Sequence, residues 1–196
     1  MKNLVMDWGE RLILVALFAL FATSNLRSGD AVNAIILLGE ALTIYFVLTR
    51  RQAISITERP TDWLLAFAGT LLPMVGRPGG EAVGGWLAGV LLIGGTALAL
   101  AAKLSLNRRF GIAPANRGVQ ADWVYALVRH PMYLGYIIAQ VGYLLHNPTP
   151  RNMVVYGLAW MFQLARIARE ERHLMQDPAY QSYAGRVRHR LVPGVY

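Results

Sequence analysis

Long apolar runs alternate with short polar segments from one end of the chain to the other. About 20 consecutive apolar residues make one bilayer crossing. By that measure six spans are predicted, over residues 8–25, 31–49, 61–77, 82–104, 124–146 and 152–169. Gly69, Pro73 and Gly76 interrupt the third, which predicts a kink or a short segment and leaves five full crossings if it stops early. The fold class predicted is therefore all-α, a polytopic membrane protein. The apolar run after Arg11, with Ala22-Thr23-Ser24 behind it, has some features of a signal peptide. Because further spans follow, it is read as a retained first helix.

The polar segments add an orientation. Of nineteen Lys and Arg residues, all but Arg27, Arg77 and Arg151 fall on the side that holds both termini and the two long connections. By the positive-inside rule that side is cytoplasmic. Composition agrees with a membrane protein: 55% of residues are hydrophobic and 15% charged, against roughly 25% charged in soluble domains. The net charge of +8 lies in short groups between apolar runs, as expected of loops facing anionic lipid, and so argues against a nucleic-acid partner. With no cysteine there can be no disulfide, thiolate metal site or cysteine nucleophile, and no metal is expected. No internal repeat is present, which argues against a transporter built from matched halves.

Several positions stand out. Glu40 lies within the second span, where a carboxylate is costly and marks either a functional group or a hydrogen-bonded packing residue. Pro60-Thr61-Asp62 predicts a helix start, and Trp63 and Trp86 suit an interfacial belt. In the fourth span Gly85 and Gly89 have the spacing that allows close helix contact. The chain then divides at residue 104, with transmembrane helices over 1–104 and a C-terminal core over 105–196, the two forming one structural unit. That core holds a basic loop of about twenty residues, long enough to suggest a binding loop or a lipid anchor. A turn with two prolines follows at His146 to Pro150, and Asp177-Pro178 ends the last long helix. Tyr180, Tyr183, Val187, Leu191 and Val192 are spaced for an amphipathic tail lying on the surface.

Candidate chemistry concentrates where apolar segments meet this cytoplasmic side. Val128-Arg129-His130-Pro131-Met132-Tyr133-Leu134-Gly135-Tyr136 opens the fifth span, and Arg166 to His173, with Glu170 and Glu171, closes the sixth. A short turn joins these spans, so the two clusters are predicted to meet at one end of an antiparallel pair. His130 and Tyr133, and Arg166 and Glu170, have the spacing of one helix face. Pro131 frees backbone polar groups that must be satisfied locally, and Gly135 permits close approach. Carboxylates accept from hydroxyls or amines, His and Tyr donate, and aromatic rings attract a cationic centre. Such groups suit a zwitterionic sulfonium cofactor, and equally an interfacial network of ion pairs.

RHPMYLGY, EERHL some thirty-five residues on, and DPAYQSYAGRVRHRLVPG together resemble the C-terminal signature of the isoprenylcysteine carboxyl methyltransferase family and its phospholipid N-methyltransferase relatives. The resemblance covers residues 117–194. It implies an integral membrane methyltransferase that uses S-adenosylmethionine in a pocket opening to the cytosol and methylates a lipid-like or isoprenoid acceptor, on a carboxylate or an amine. Carried over by position, Arg129, His130, Tyr133, Gly135, Tyr136, Glu170 and Glu171 would bind the cofactor. Arg166 and Glu171 would serve catalysis, with Arg166 positioning an acceptor carboxylate; for an amine acceptor Glu171 or Glu40, the latter outside the resemblance, would be the better partner. Gln120-Ala121-Asp122-Trp123-Val124-Tyr125 stands where many relatives carry a Gly-Pro-Tyr-like segment, a departure in the cofactor loop. Two rival readings are an NADPH-dependent, sterol-reductase-like enzyme and a non-catalytic lipid-binding or scaffold protein.

Overall fold

The computed structural model describes residues 2–25 and 41–194, with side chains in the first helix from residue 4 to 19. Glu40 lies outside the described residues. The described residues are mostly helical, in accord with the predicted class. The helices are α1 (Lys2–Asn25), α2 (41–49), α3 (Pro60–Leu71), α4 (Gly85–Leu106), α5 (Pro131–His146), α6 (Pro150–Leu174) and α7 (Pro178–Arg186). Among the described residues one pair of two-residue strands, β1 (Ser55–Ile56) and β2 (Ala115–Asn116), runs antiparallel with Ser55 opposite Asn116. Among the described residues, one helical stretch, Gly85–Arg109, is long and apolar enough to cross a membrane by length and composition.

Side chains are distributed inside out. Leu4, Val5, Leu12 and Ile13 of α1, Trp86, Val90 and Ile93 of α4, and Met153, Val154 and Met161 of α6 are exposed. Asp7, Glu10, Arg11, Arg50, Arg117, Arg129, Arg166 and Glu171 are buried. An exposed apolar surface of this extent marks a face made for an apolar partner, here the hydrocarbon that the sequence predicts.

The close pairing of α4 with α5 is set by glycine, though not by the pair the sequence suggested. A β-carbon at Gly95 would collide with the backbone of Gly135 and Ala139, one at Gly135 with Gly95 and Ala99, and one at Gly142 with Ala88 and Leu92. Gly85 and Gly89, expected at a helix contact, face open space in the described structure. Their spacing is right but their helix face points away from α5.

Helix ends follow local chemistry. α5 begins at Pro131, seven residues later than predicted, because residues 123–126 form a separate 3₁₀ turn and proline suits the first position of a helix. Its 16 residues span about 24 Å. α6 begins at Pro150, where the Thr149 hydroxyl accepts from Asn152 N, and its 25 residues carry the charged cluster in one unbroken helix, as expected. α3 ends at Leu71 and Pro73 falls in a 3₁₀ turn over Leu72–Val75, so the third predicted span is short. Asp177 caps α7 by accepting from Ala179 N.

The segment expected to lie as a surface tail folds inward instead. Tyr180, Tyr183 and Leu191 are buried. The carbonyls of His189 and Arg190 accept from the backbone N–H groups of Arg129 and His130 at 2.9 and 2.8 Å. Those are donors that a helix starting at Pro131 leaves without internal partners, so the tail is held by the start of α5.

Candidate active site

The start of α5 and the end of α6 meet, as the sequence predicts. Glu171 sits at their junction. Arg129 donates to it through Nε at 2.9 Å and Nη2 at 2.8 Å, and His130 Nε2 lies 2.8 Å from Oε1. The Tyr180 hydroxyl donates at 2.7 Å and Arg190 Nε lies at 3.5 Å. Burial raises the Glu171 carboxyl, but the hydrogen bonds from His130, Tyr180 and Arg129 outweigh it and bring its pKa down to about 2. Arg129 reaches further, donating through Nη1 to Val187 O at 3.0 Å and Arg188 O at 3.1 Å. Four segments are thus tied to one carboxylate: the turn before α5, α6, α7 and the tail.

The adjacent Glu170 is half-buried and accepts from the Tyr133 hydroxyl at 2.7 Å. The ring of Tyr133 lies edge-on to His130 and to Tyr136, and the Arg166 guanidinium sits 5.2 Å from its centroid. Arg166 donates to Thr70 Oγ1 at 3.2 Å and to Ile112 O, and its Nε is buried without a hydrogen-bond partner. Tyr133 therefore stands between the carboxylate of Glu170 and the cation of Arg166.

A cleft opens beside this junction. Arg129, His130, Tyr133 and Glu170 form one wall, Tyr125, Tyr180 and Tyr183 a second, and the loop from Arg109 to Gln120 the third. Tyr183 donates to Tyr125 O at 2.7 Å, which fixes the aromatic wall. Burial, and then the nearby Glu171 and Glu170 charges, raise the Tyr180 phenol far above its usual range, so it is a permanent donor. The cleft holds about 70 Å³ of free space, whereas sites for ligands of cofactor size run to roughly 300–1,000 Å³. A nucleoside can enter only if the loop over it shifts.

The donor set fits S-adenosylmethionine in kind. Glu170 can accept from ribose hydroxyls or an ammonium group, the tyrosine rings suit a purine or a sulfonium, and Arg109 and Arg117 each keep a buried Nε without a partner on the loop.

Four of the expected cofactor residues, Arg129, His130, Tyr133 and Glu170, line the cleft. Glu171 lies behind it. Gly135 faces α4, and Tyr136 packs between two apolar clusters with Lys103 Nζ 5.6 Å from its ring. Arg166 is on the far side of Tyr133.

Sequence reading gave no role to the first helix, and the structure does. Glu10 Oε1 accepts from Ala113 N at 3.2 Å and from Ile112 N at 2.6 Å. Asp7 accepts from Arg117 at 2.8 Å, with Arg50 and Arg11 beside it. Burial raises the Asp7 carboxyl, but Arg117, Arg50 and Arg11 hold it below its usual value. The cleft loop is therefore moored to α1. Two acids three residues apart ahead of the first apolar run were the available signal. The polar group Gln140, Trp160 and Gln163 was also missed. Trp160 Nε1 and Gln163 Nε2 both donate to Gln140 Oε1, while Gln163 Oε1 stays buried and unpaired.

The site is a polar cleft at one end of the helices of a protein whose outer surface is largely apolar. Residues 90–176 match the model of the isoprenylcysteine carboxyl methyltransferase family, as the RHPMYLGY and EERHL segments led us to expect. No curated protein matches the chain. Among solved structures it is similar to the eukaryotic intramembrane Ras methyltransferase, isoprenylcysteine carboxyl methyltransferase, determined without a monobody. The identity is 19%, the alignment covers 93% of this chain and 74% of that one, and the TM-score is 0.49.

Proposed function

We propose that the protein transfers a methyl group from S-adenosylmethionine to a lipid-like acceptor at the cytoplasmic face of a membrane, with both termini on that face. The observation that carries this reading is the Tyr133–Glu170 pair: a buried phenol fixed to a half-buried carboxylate, on a cleft walled by aromatic rings. When bound, S-adenosylmethionine supplies an activated methyl on a sulfonium, so that no enzyme nucleophile is called for. The work left to the protein is to bind, align and exclude water, and alignment alone is worth roughly 7–11 kcal/mol.

In this reading Glu170 receives the cofactor's hydroxyl or ammonium donors, and Tyr133 fixes the rotamer of Glu170. Glu171 is a positioning residue. Its oxygens are already taken by Arg129, His130 and Tyr180, so its part is to hold His130 and Arg129 on the cleft wall. Arg166, with its unpaired Nε, receives an acceptor carboxylate on the membrane side of Tyr133. The Gln140–Gln163 group one turn deeper lies on the path of a head group arriving between α5 and α6. An anion desolvated there is a better nucleophile, although the size of that effect is contested.

The test is incubation of membranes containing the protein with S-adenosylmethionine labelled in its methyl group, followed by extraction of lipid. A labelled lipid that disappears with Arg166→Gln and with Glu170→Gln supports the proposal. Cofactor binding without any labelled lipid would turn it toward a non-catalytic binder, and reduction of a lipid by NADPH toward the reductase.

A further inference from the structure

A second cavity, of about 530 Å³, lies outside the cleft between the start of α1 and the end of α2. Arg11, Arg50 and Arg108 line it with Asp7, Thr49 and Gln52, and Trp8, Tyr45 and Leu48 form its apolar rim. Neither the family match nor the methyl-transfer reading gives this cavity a role.

Its charge balance is positive. Asp7 and Glu10 are shared among Arg11, Arg50 and Arg117, and Arg108 adds a fourth guanidinium. Arg11 is fully committed, to Asp7 and to the carbonyls of Leu48 and Arg50. Arg50 is not: it is 3% exposed, yet Nε and Nη1 find no acceptor. A buried guanidinium with two open donors is costly unless an acceptor arrives. Arg108 is exposed and donates through Nε to Thr49 O at 2.6 Å, so that among the described residues its terminal nitrogens have no acceptor and can take an anion. Paired guanidinium donors match phosphate oxygens in a bidentate way.

The rim says where the phosphate comes from. Trp8 and Tyr45 are exposed beside the cavity, and Leu48 together with Leu4 and Leu12 continues an exposed apolar surface along the same helices. Amphipathic rings over a basic site, with an apolar face running away from it, are the arrangement for a head group whose acyl chains stay in the bilayer. We propose that this cavity binds the phosphate of an anionic phospholipid, held by the exposed Arg108 over the buried positive charge of Arg50, with its chains along α1 and α2.

The test uses the full-length protein in neutral detergent. Native mass spectrometry would count bound phosphatidylglycerol and phosphatidylcholine of identical chains, with sn-glycerol 3-phosphate as the soluble phosphate. Phosphatidylglycerol should bind about tenfold more tightly than phosphatidylcholine, because both offer the same phosphate oxygens but only phosphatidylcholine brings a quaternary ammonium cation into a site of net positive charge. Arg108→Gln and Gln52→Glu, both at exposed positions, should each abolish that preference. Arg186→Gln, which removes an equal charge from an exposed position on α7, should preserve it. Equal binding of the two lipids, or a preference that survives Arg108→Gln, overturns the proposal. Glycerol 3-phosphate binding as tightly as phosphatidylglycerol overturns the lipid as its source. None of these readings depends on cofactor binding or turnover.

Discussion

Glu171 holds together parts of the chain that are far apart in sequence, and its acidity measures how firmly. Its folded pKa of about 2 lies below the ordinary 4.5, so the stabilisation is fully present above pH 4.5 and is lost as pH falls through about 2. The shift corresponds to about 3 kcal/mol. Glu171→Gln is therefore expected to lower the melting temperature in detergent at pH 7, and the gap to the parent protein should close as pH approaches 2. A gap independent of pH would remove the carboxylate from its central place. Its neighbour behaves differently. Tyr133→Phe removes one hydrogen bond to Glu170, and should weaken cofactor binding by about tenfold or less while changing the melting temperature little. At this scale the sequence was informative about residue types and poor about partners. Two adjacent glutamates look alike in a string. One faces the cleft and one is enclosed only because the tail returns to cover it, and no local pattern announces that return.

Among the elements, the α4–α5 contact is the most exacting. Gly95→Leu would drive a side chain into the backbone of α5 and should cost about 3 kcal/mol or more, whereas Gly94→Leu, one position round the helix on an open face, should be nearly neutral. Equal effects of the two, read as melting temperatures, would contradict the packing. Hydrophobic runs located the helices well, since length and polarity are local properties. They could not say which glycine faces a neighbour, because that depends on where the neighbour lies. Pro131 and Pro150 fixed two helix starts, and the signal at Pro131 was overridden in the reading by the apolar residues before it. The mooring of the cleft loop to α1 was the largest omission, since it joins residues about a hundred positions apart. Glu10→Ala leaves the backbone donors of Ile112 and Ala113 unpaired, and is expected to weaken cofactor binding although Glu10 itself does not line the cleft.

Across the whole molecule, buried charges gather at one end and apolar side chains cover the outside of the helices. Both features were legible as an alternation of apolar runs and basic loops, and the basic asymmetry predicted which end faces the cytoplasm. The chain has no cysteine, so single cysteines can report on sidedness directly. Arg151→Cys, in the first turn of α6, and Gln181→Cys, on α7, are both at exposed positions. In sealed vesicles they should react with an impermeant maleimide from opposite sides, and reaction from the same side would contradict the arrangement.

The most direct measurement is calorimetric titration of S-adenosylmethionine into the purified, folded protein, repeated with Glu170→Gln and Tyr133→Phe. The account predicts saturable binding by the parent, a large loss with Glu170→Gln and a smaller one with Tyr133→Phe. Binding of the same strength in all three, or none by the parent, would contradict it.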